Sequence, residues 1–210
     1  MNLSLGEYSA LVAKAFRGAG YSWGLTEEAS FSARRLAESG FPTGDMVVRL
    51  LRQVDRMSTA DVMPDARWTS LGPALCSVCL GTSIADLGGC GELSLGPTVE
   101  PLFVAPFLSR TLGEARSGYV IEWEGGECAV SEAKISVSGD EPVEPCRVVI
   151  RPQEQGLSQV VDALDSVRRQ RVELREATMA ALEAFAHRVY APATAASRIA
   201  GAGAGLTDND

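Results

Sequence analysis

Three stretches near the start of the chain place apolar residues on one helical face. Ser4-Leu5-Gly6-Glu7 has the form of a capping box. Tyr8, Leu11, Val12, Ala15 and Phe16 then recur at helical spacing, and Gly18 and Gly20 are suited to stop the helix. A second helix is expected from an N-cap at Thr26 to about Gly40, with Leu25, Ala29, Ala33, Leu36 and Ala37 on its apolar side and Glu27 and Glu28 in its first turn. A third begins between Pro42 and Asp45. Its buried stripe is Met46, Val47, Leu50, Leu51 and Val54, and Arg49, Arg52 and Arg56 lie on other faces.

From about residue 58 the helical period disappears and Gly, Pro, Ser and Thr become frequent. Segments 74–80, 102–108, 118–123, 127–131, 134–138 and 146–151 read as strands. Glu124-Gly125-Gly126-Glu127 between two of them predicts a tight hairpin. Pro97, Pro101 and Pro106 make the region before it edge strand or loop. A last helix is expected over 173–190, with Ala177, Leu182, Phe185, Ala186 and Val189 facing inward. Segment 157–171 is ambiguous, because Leu157, Val160, Val161 and Leu164 suggest a short helix while Arg168, Arg169 and Arg171 form a basic run. The expected fold is α+β: N-terminal helices (1–57), a central, mostly antiparallel sheet (58–156), and a C-terminal helix with a glycine-rich tail (157–210), all in one domain.

Composition supports a folded chain. With 46% hydrophobic and 22% charged residues in 210, one core can be buried and disorder throughout is excluded. No stretch reaches the roughly 20 apolar residues of a membrane span. The opening MNLSLGEYSA lacks the early positive charge and apolar run of a secretory signal, so a cytoplasmic protein is expected. The net charge of −8 is concentrated in residues 58–157, which hold fourteen acidic and six basic side chains. Such a surface repels phosphate backbones, which argues against nucleic-acid binding.

Candidate chemistry is sparse. Cys76 and Cys79 form a CxxC pair, followed by Cys90, Cys128 and Cys146. An odd number of cysteines argues against a disulfide framework. Placed on a strand, Cys76 and Cys79 would point to opposite faces, and a second pair to complete a zinc site is lacking. Buried structural cysteines are the favoured reading, and no metal site is assigned. His187, the single histidine, reads as a packing or surface residue rather than a base. The loop Gly18–Gly24 has neither the Gly-Lys-Ser/Thr ending of a P-loop nor a preceding strand. Its plain reading is a turn in which Trp23 plugs the core. Its sharper reading is a ligand wall of Tyr21, Ser22, Trp23 and exposed amides. A helix-turn-helix is disfavoured by the length of this loop. In the tail, Gly201, Gly203 and Gly205 alternate with alanine. Their amides suit an anion nest beside Arg198, while Asp208 and Asp210 suit a hard cation.

Gly18-Ala19-Gly20-Tyr21-Ser22-Trp23-Gly24-Leu25-Thr26-Glu27-Glu28-Ala29, together with Tyr190-Ala191-Pro192, Ser197-Arg198 and Gly201–Asp210, resembles an uncharacterised bacterial family, a domain of unknown function. The resemblance transfers no catalytic residue. It implies that the two terminal motifs belong together, and so a pocket formed by the 18–24 loop and the tail. Tyr21, Ser22, Trp23, Tyr190, Ser197, Arg198, Gly201, Gly203 and Gly205 would line it around a small polar or anionic metabolite. Ser22, Glu27, Ser197 or Asp208 would serve any proton transfer, and no cofactor is indicated. The competing expectation is a non-catalytic accessory protein whose tail docks into a partner or a second copy of the chain. A cysteine–metal protein is a lesser third.

Overall fold

The computed structural model of the protein describes residues 1–113, 117–142, 144–153 and 168–189. The chain opens with a short strand, β1 (Asn2–Ser4), that runs directly into helix α1 (Leu5–Gly18). The capping box is formed. Ser4 Oγ accepts from the Glu7 amide at 3.2 Å, and the Glu7 carboxylate accepts from the Ser4 amide at 2.8 Å. Tyr8, Val12, Ala15 and Phe16 are fully buried, as their spacing requires. Gly18 is the last helical residue, and its role is close approach. A Cβ there would sit 1.8 Å from the Phe185 carbonyl oxygen. Gly20, at φ 99°, makes the left-handed turn that ends the helix.

Helix α2 (Trp23–Glu38) starts earlier than the N-cap expected at Thr26. Ser22 is extended and its side chain accepts from the Leu25 amide, so it takes the cap, and Thr26 falls inside the helix with its amide bonded to the Ser22 carbonyl. Helix α3 (Thr43–Val54) buries the expected stripe. A short α4 (Thr59–Val62) follows, closed by a Ser58–Asp61 capping box.

The next segment departs from the sequence reading. Residues 74–80 are not one strand: β2 is only Leu75–Cys76, and α5 (Ser77–Asp86) begins at once. A short, largely apolar run is compatible with a buried strand or a buried helix, and periodicity cannot separate them. Tertiary packing decides here. The bare Gly81 lets the Phe107 ring lie where a Cβ would be 2.2 Å from it. Segment 102–108 is likewise not a strand but a 3-10 turn (Pro101–Val104) leading into α6 (Ala105–Arg110). Pro101 and Pro106 fall in first turns, where a missing N–H leaves no bond unmade.

Strand β3 (Leu93–Val99), between α5 and that turn, tolerates Pro97 because the register with its neighbour slips between Leu95 and Pro97. Strands β4 (Gly118–Trp123), β5 (Gly126–Val130), β6 (Ile135–Gly139) and β7 (Cys146–Gln153) follow the expected pattern, with Gly125 at φ 89° in the hairpin. The sheet order is β2-β3-β7-β4-β5-β6, with β2 and β3 parallel and every other neighbour antiparallel. The fold is therefore α+β with a mostly antiparallel sheet.

Of the ambiguous segment 157–171, residues 157–167 lie outside the described residues. Its end enters β8 (Arg171–Glu173), which pairs with β1. Helix α7 (Glu176–Ala186) and a 3-10 turn (His187–Val189) complete the described chain. Leu182, Phe185 and Ala186 face inward as expected, whereas Ala177 and Val189 are exposed and Thr178 is buried instead. The buried side chains, from Leu5 to Phe185, form one contiguous cluster.

Candidate functional site

Of the sequence-predicted site, Tyr190, Ser197, Arg198, Gly201, Gly203 and Gly205 lie outside the described residues, as do Asp208 and Asp210. The three loop residues go to three different places. Tyr21 points inward, edge-on to Phe16 at 5.1 Å. Ser22 is spent on the cap of α2. Trp23 is 69% exposed beneath the Arg17 guanidinium, 5.0 Å from its ring, so Tyr21 rather than Trp23 plugs the core. The loop amides close α1: Ala19, Gly20 and Tyr21 donate to Ala15, Arg17 and Phe16 carbonyls. Glu27 is exposed on α2, and His187 is exposed after α7.

An open cleft of about 400 Å³ lies elsewhere, between the α2–α3 turn and β8. Phe41, Thr43, Asp45, Arg169, Arg171 and Arg175 line it. Gly40 at φ 94° turns the chain beneath it, with the Arg169 guanidinium packed over the turn. Arg171 is held in place, donating to Asn2 Oδ1 at 2.9 Å and to the Asn2 carbonyl at 2.8 Å. Arg175 pairs with Asp45 at 2.8 Å, and Thr178 donates to the other Asp45 oxygen. Burial raises the Asp45 pKa, but Thr178, Arg175 and Arg49 hold it below the ordinary carboxylate value. The Thr43 hydroxyl is buried in this wall near the Tyr8 hydroxyl, and neither has a hydrogen-bond partner of good geometry. Ser39 and Arg168, next along the chain, line a second hollow of about 60 Å³ with Arg35 and Lys134. The basic run at 168–171 was the signal in the sequence. What it could not show was that Arg35, Lys134 and Arg175 join it.

A second polar centre is dry. Cys76 is the N-cap of α5, Cys79 lies in its first turn, and both are fully buried. The helix start therefore puts both cysteines on one side, where a strand would have separated them. The Tyr21 hydroxyl lies 3.2 Å from Cys76 Sγ and shares a hydrogen bond with it. Burial raises the Cys76 pKa. The Cys79 thiol, the Tyr21 hydroxyl and the first amides of α5 outweigh burial and hold it below the ordinary thiol value. Cys79 and Tyr21 shift upward in consequence. Among the described residues no three His, Cys, Asp or Glu side chains converge as a metal site.

Beside this centre, Val99 pairs with Cys76, and Glu100 follows in left-handed backbone at φ 46°. Its carboxylate accepts from Arg49 Nε and Nη2 at 2.5 and 3.0 Å. Burial lifts the Glu100 pKa to about 7 despite Arg49, with Glu141 and Glu144 adding to the rise.

Residues 3–74 match the model of a protein family of unknown function, DUF3726. The match takes in Tyr21 and the Phe41–Asp45 wall of the cleft and stops just before β2 and the cysteines. Neither curated proteins nor solved structures give a match. Among the described residues no helix is long and apolar enough to cross a membrane.

Proposed function

We propose that this protein binds a small anionic metabolite in the cleft beside β8. The observation that carries the reading is the convergence of Arg169, Arg171 and Arg175 on one 400 Å³ hollow in a chain of net charge −8. Set against Asp45 and Glu173 in the same lining, the three guanidinium groups leave the cleft net positive, and a cationic concavity in an acidic chain concentrates anions locally. Guanidinium groups hold carboxylate or phosphate oxygens bidentately, and the volume lies in the range of small-molecule sites. Arg171 is pre-oriented by Asn2, and Phe41 offers an apolar floor. The geometry favours this cleft over a pocket at the 18–24 loop, where Tyr21 faces inward and Ser22 is committed to a cap. We assign binding and no reaction, and the expected compartment is the cytoplasm. The rival reading, an accessory protein docking through its tail, rests on residues outside those described.

Titration calorimetry with inorganic phosphate, pyrophosphate and citrate tests the proposal. At least one should bind, more weakly as salt rises, and Arg169→Ala should reduce affinity by about tenfold. Absence of binding by all three at millimolar concentration, or affinity unchanged in Arg169→Ala, would overturn it.

A further inference from the structure

We infer that Cys76 and Cys79 are a reversible dithiol–disulfide site, shielded by Tyr21 and oxidised by low-molecular-weight disulfides. The inference shares no residue with the arginine-lined cleft, so either can fail alone.

Three features of the fold carry it. The first is placement. A two-residue strand ends at Cys76 and a ten-residue helix starts at Ser77, so the cysteines occupy the cap and first turn of one helix. Residues three apart in a helix are neighbours, with Cβ atoms about 5–6 Å apart. The extended backbone of Cys76, φ −79° and ψ 122°, lies outside the helix, on the short strand paired with Val99. A disulfide needs a Cβ separation of about 3.5–4.5 Å, a small closure from there.

The second is activation. The start of α5 turns backbone amides toward Cys76, and the Tyr21 hydroxyl and Cys79 thiol add side-chain donors. Two other thiols are placed differently. Burial pushes Cys128 up to about 12 and raises Cys146. Oxidation should therefore select the CxxC pair.

The third is the cover. Tyr21 belongs to the short connection between α1 and α2, which turns at Gly20. It is held by the Arg17 guanidinium, which donates to the Tyr21 carbonyl at 2.6 Å, and by its own amide on the Phe16 carbonyl at 3.2 Å. Both sulfurs are fully buried, so a small disulfide reaches them only when this cover opens.

The chemistry balances. The Cys76 thiolate attacks one sulfur of a small disulfide, forming a mixed disulfide and expelling one thiolate. Cys79 loses its proton to that leaving group, and its sulfur then attacks Cys76 Sγ. The internal S–S bond forms and the second small thiolate leaves, taking up the proton that Cys76 had released. Two protein thiols are oxidised and one small disulfide is reduced to two thiols.

Native full-length protein in mixtures of oxidised and reduced glutathione, quenched by alkylation and mapped by mass spectrometry, tests the site. One disulfide should appear between Cys76 and Cys79, reversibly with the glutathione ratio. In Cys79→Ser the resolving thiol is gone, and glutathione should accumulate on Cys76. Tyr21→Phe keeps the ring packing but removes the donor, and should slow oxidation about threefold. Three outcomes would overturn the inference. These are thiols at 76 and 79 that stay fully alkylatable across the series, oxidation that maps to Cys90, Cys128 or Cys146 instead, and Cys79→Ser protein that takes up no glutathione.

Discussion

The dithiol at the start of α5 and the cleft beside β8 hold polar chemistry under opposite conditions. At the first, Tyr21, Cys76 and Cys79 meet where water is excluded, beside a Glu100 that is only 4% exposed. At the second, Arg175 pairs with Asp45 while its side chain is 76% exposed. In the dry region few ionisable groups are present, yet their proton equilibria move far: Cys76 falls below the ordinary thiol value and Glu100 rises to about 7. In the wet region there are many charges, and the Asp45 carboxyl is held below its ordinary value by Thr178, Arg175 and Arg49 against its partial burial. The difference teaches that burial sets how much each polar contact matters, because water no longer competes for it.

Breaking the dry side should have the largest effect. Arg49→Ala leaves Glu100 buried without its two hydrogen bonds, and a stability loss of about 3–5 kcal/mol is expected at pH 8 by urea unfolding. At pH 5 the loss should be smaller, because an unpaired Glu100 can take up a proton.

Glu100 itself supplies the next effect. Its folded pKa of about 7 lies above the ordinary 4.5, so its contribution to stability is fully present below pH 4.5. That contribution is lost as pH rises through 7. It amounts to about 3 kcal/mol, and the difference between the protein and Glu100→Gln, followed by unfolding from pH 4 to 8, should show it. A flat difference would mean that Glu100 is solvated in the folded state.

Ser22→Ala removes the α2 cap next to Tyr21 and should cost about 1 kcal/mol in chemical unfolding. The same loss should loosen the connection over the dithiol and speed its alkylation. The smallest effect on stability belongs to the wet side. Arg175→Ala removes an exposed pair and should change stability by less than about 1 kcal/mol, while weakening anion binding in calorimetry. A large destabilisation there would show that the Arg175–Asp45–Thr178 contacts tie β8 and α7 to α3 rather than frame a ligand site.

Much of the scaffold was legible because it is local. The Ser4–Glu7 capping box, the stripe from Met46 to Val54 and the Gly125 hairpin each follow from neighbours within a few residues. The candidate sites were far less legible. The helical period puts Arg49 off the buried stripe of α3, and nothing near it in sequence announces Glu100. The 18–24 loop and the CxxC pair stand apart in the sequence, although Tyr21 lies on Cys76. Both contacts join residues about fifty positions apart, and no periodicity spans that distance.

The sequence by itself determined the helical start, the antiparallel strands from β4 to β7 and the acidic balance of the middle, because side-chain period, turn residues and charge act at short range. The tertiary structure decided what lies between Leu75 and Arg110. There, apolar runs with no distinctive period became α5 and α6 through packing such as Phe107 on Gly81. That choice also decided the chemistry. A strand would have parted Cys76 from Cys79, whereas a helix start brings their sulfurs together under Tyr21 and aims backbone amides at one of them.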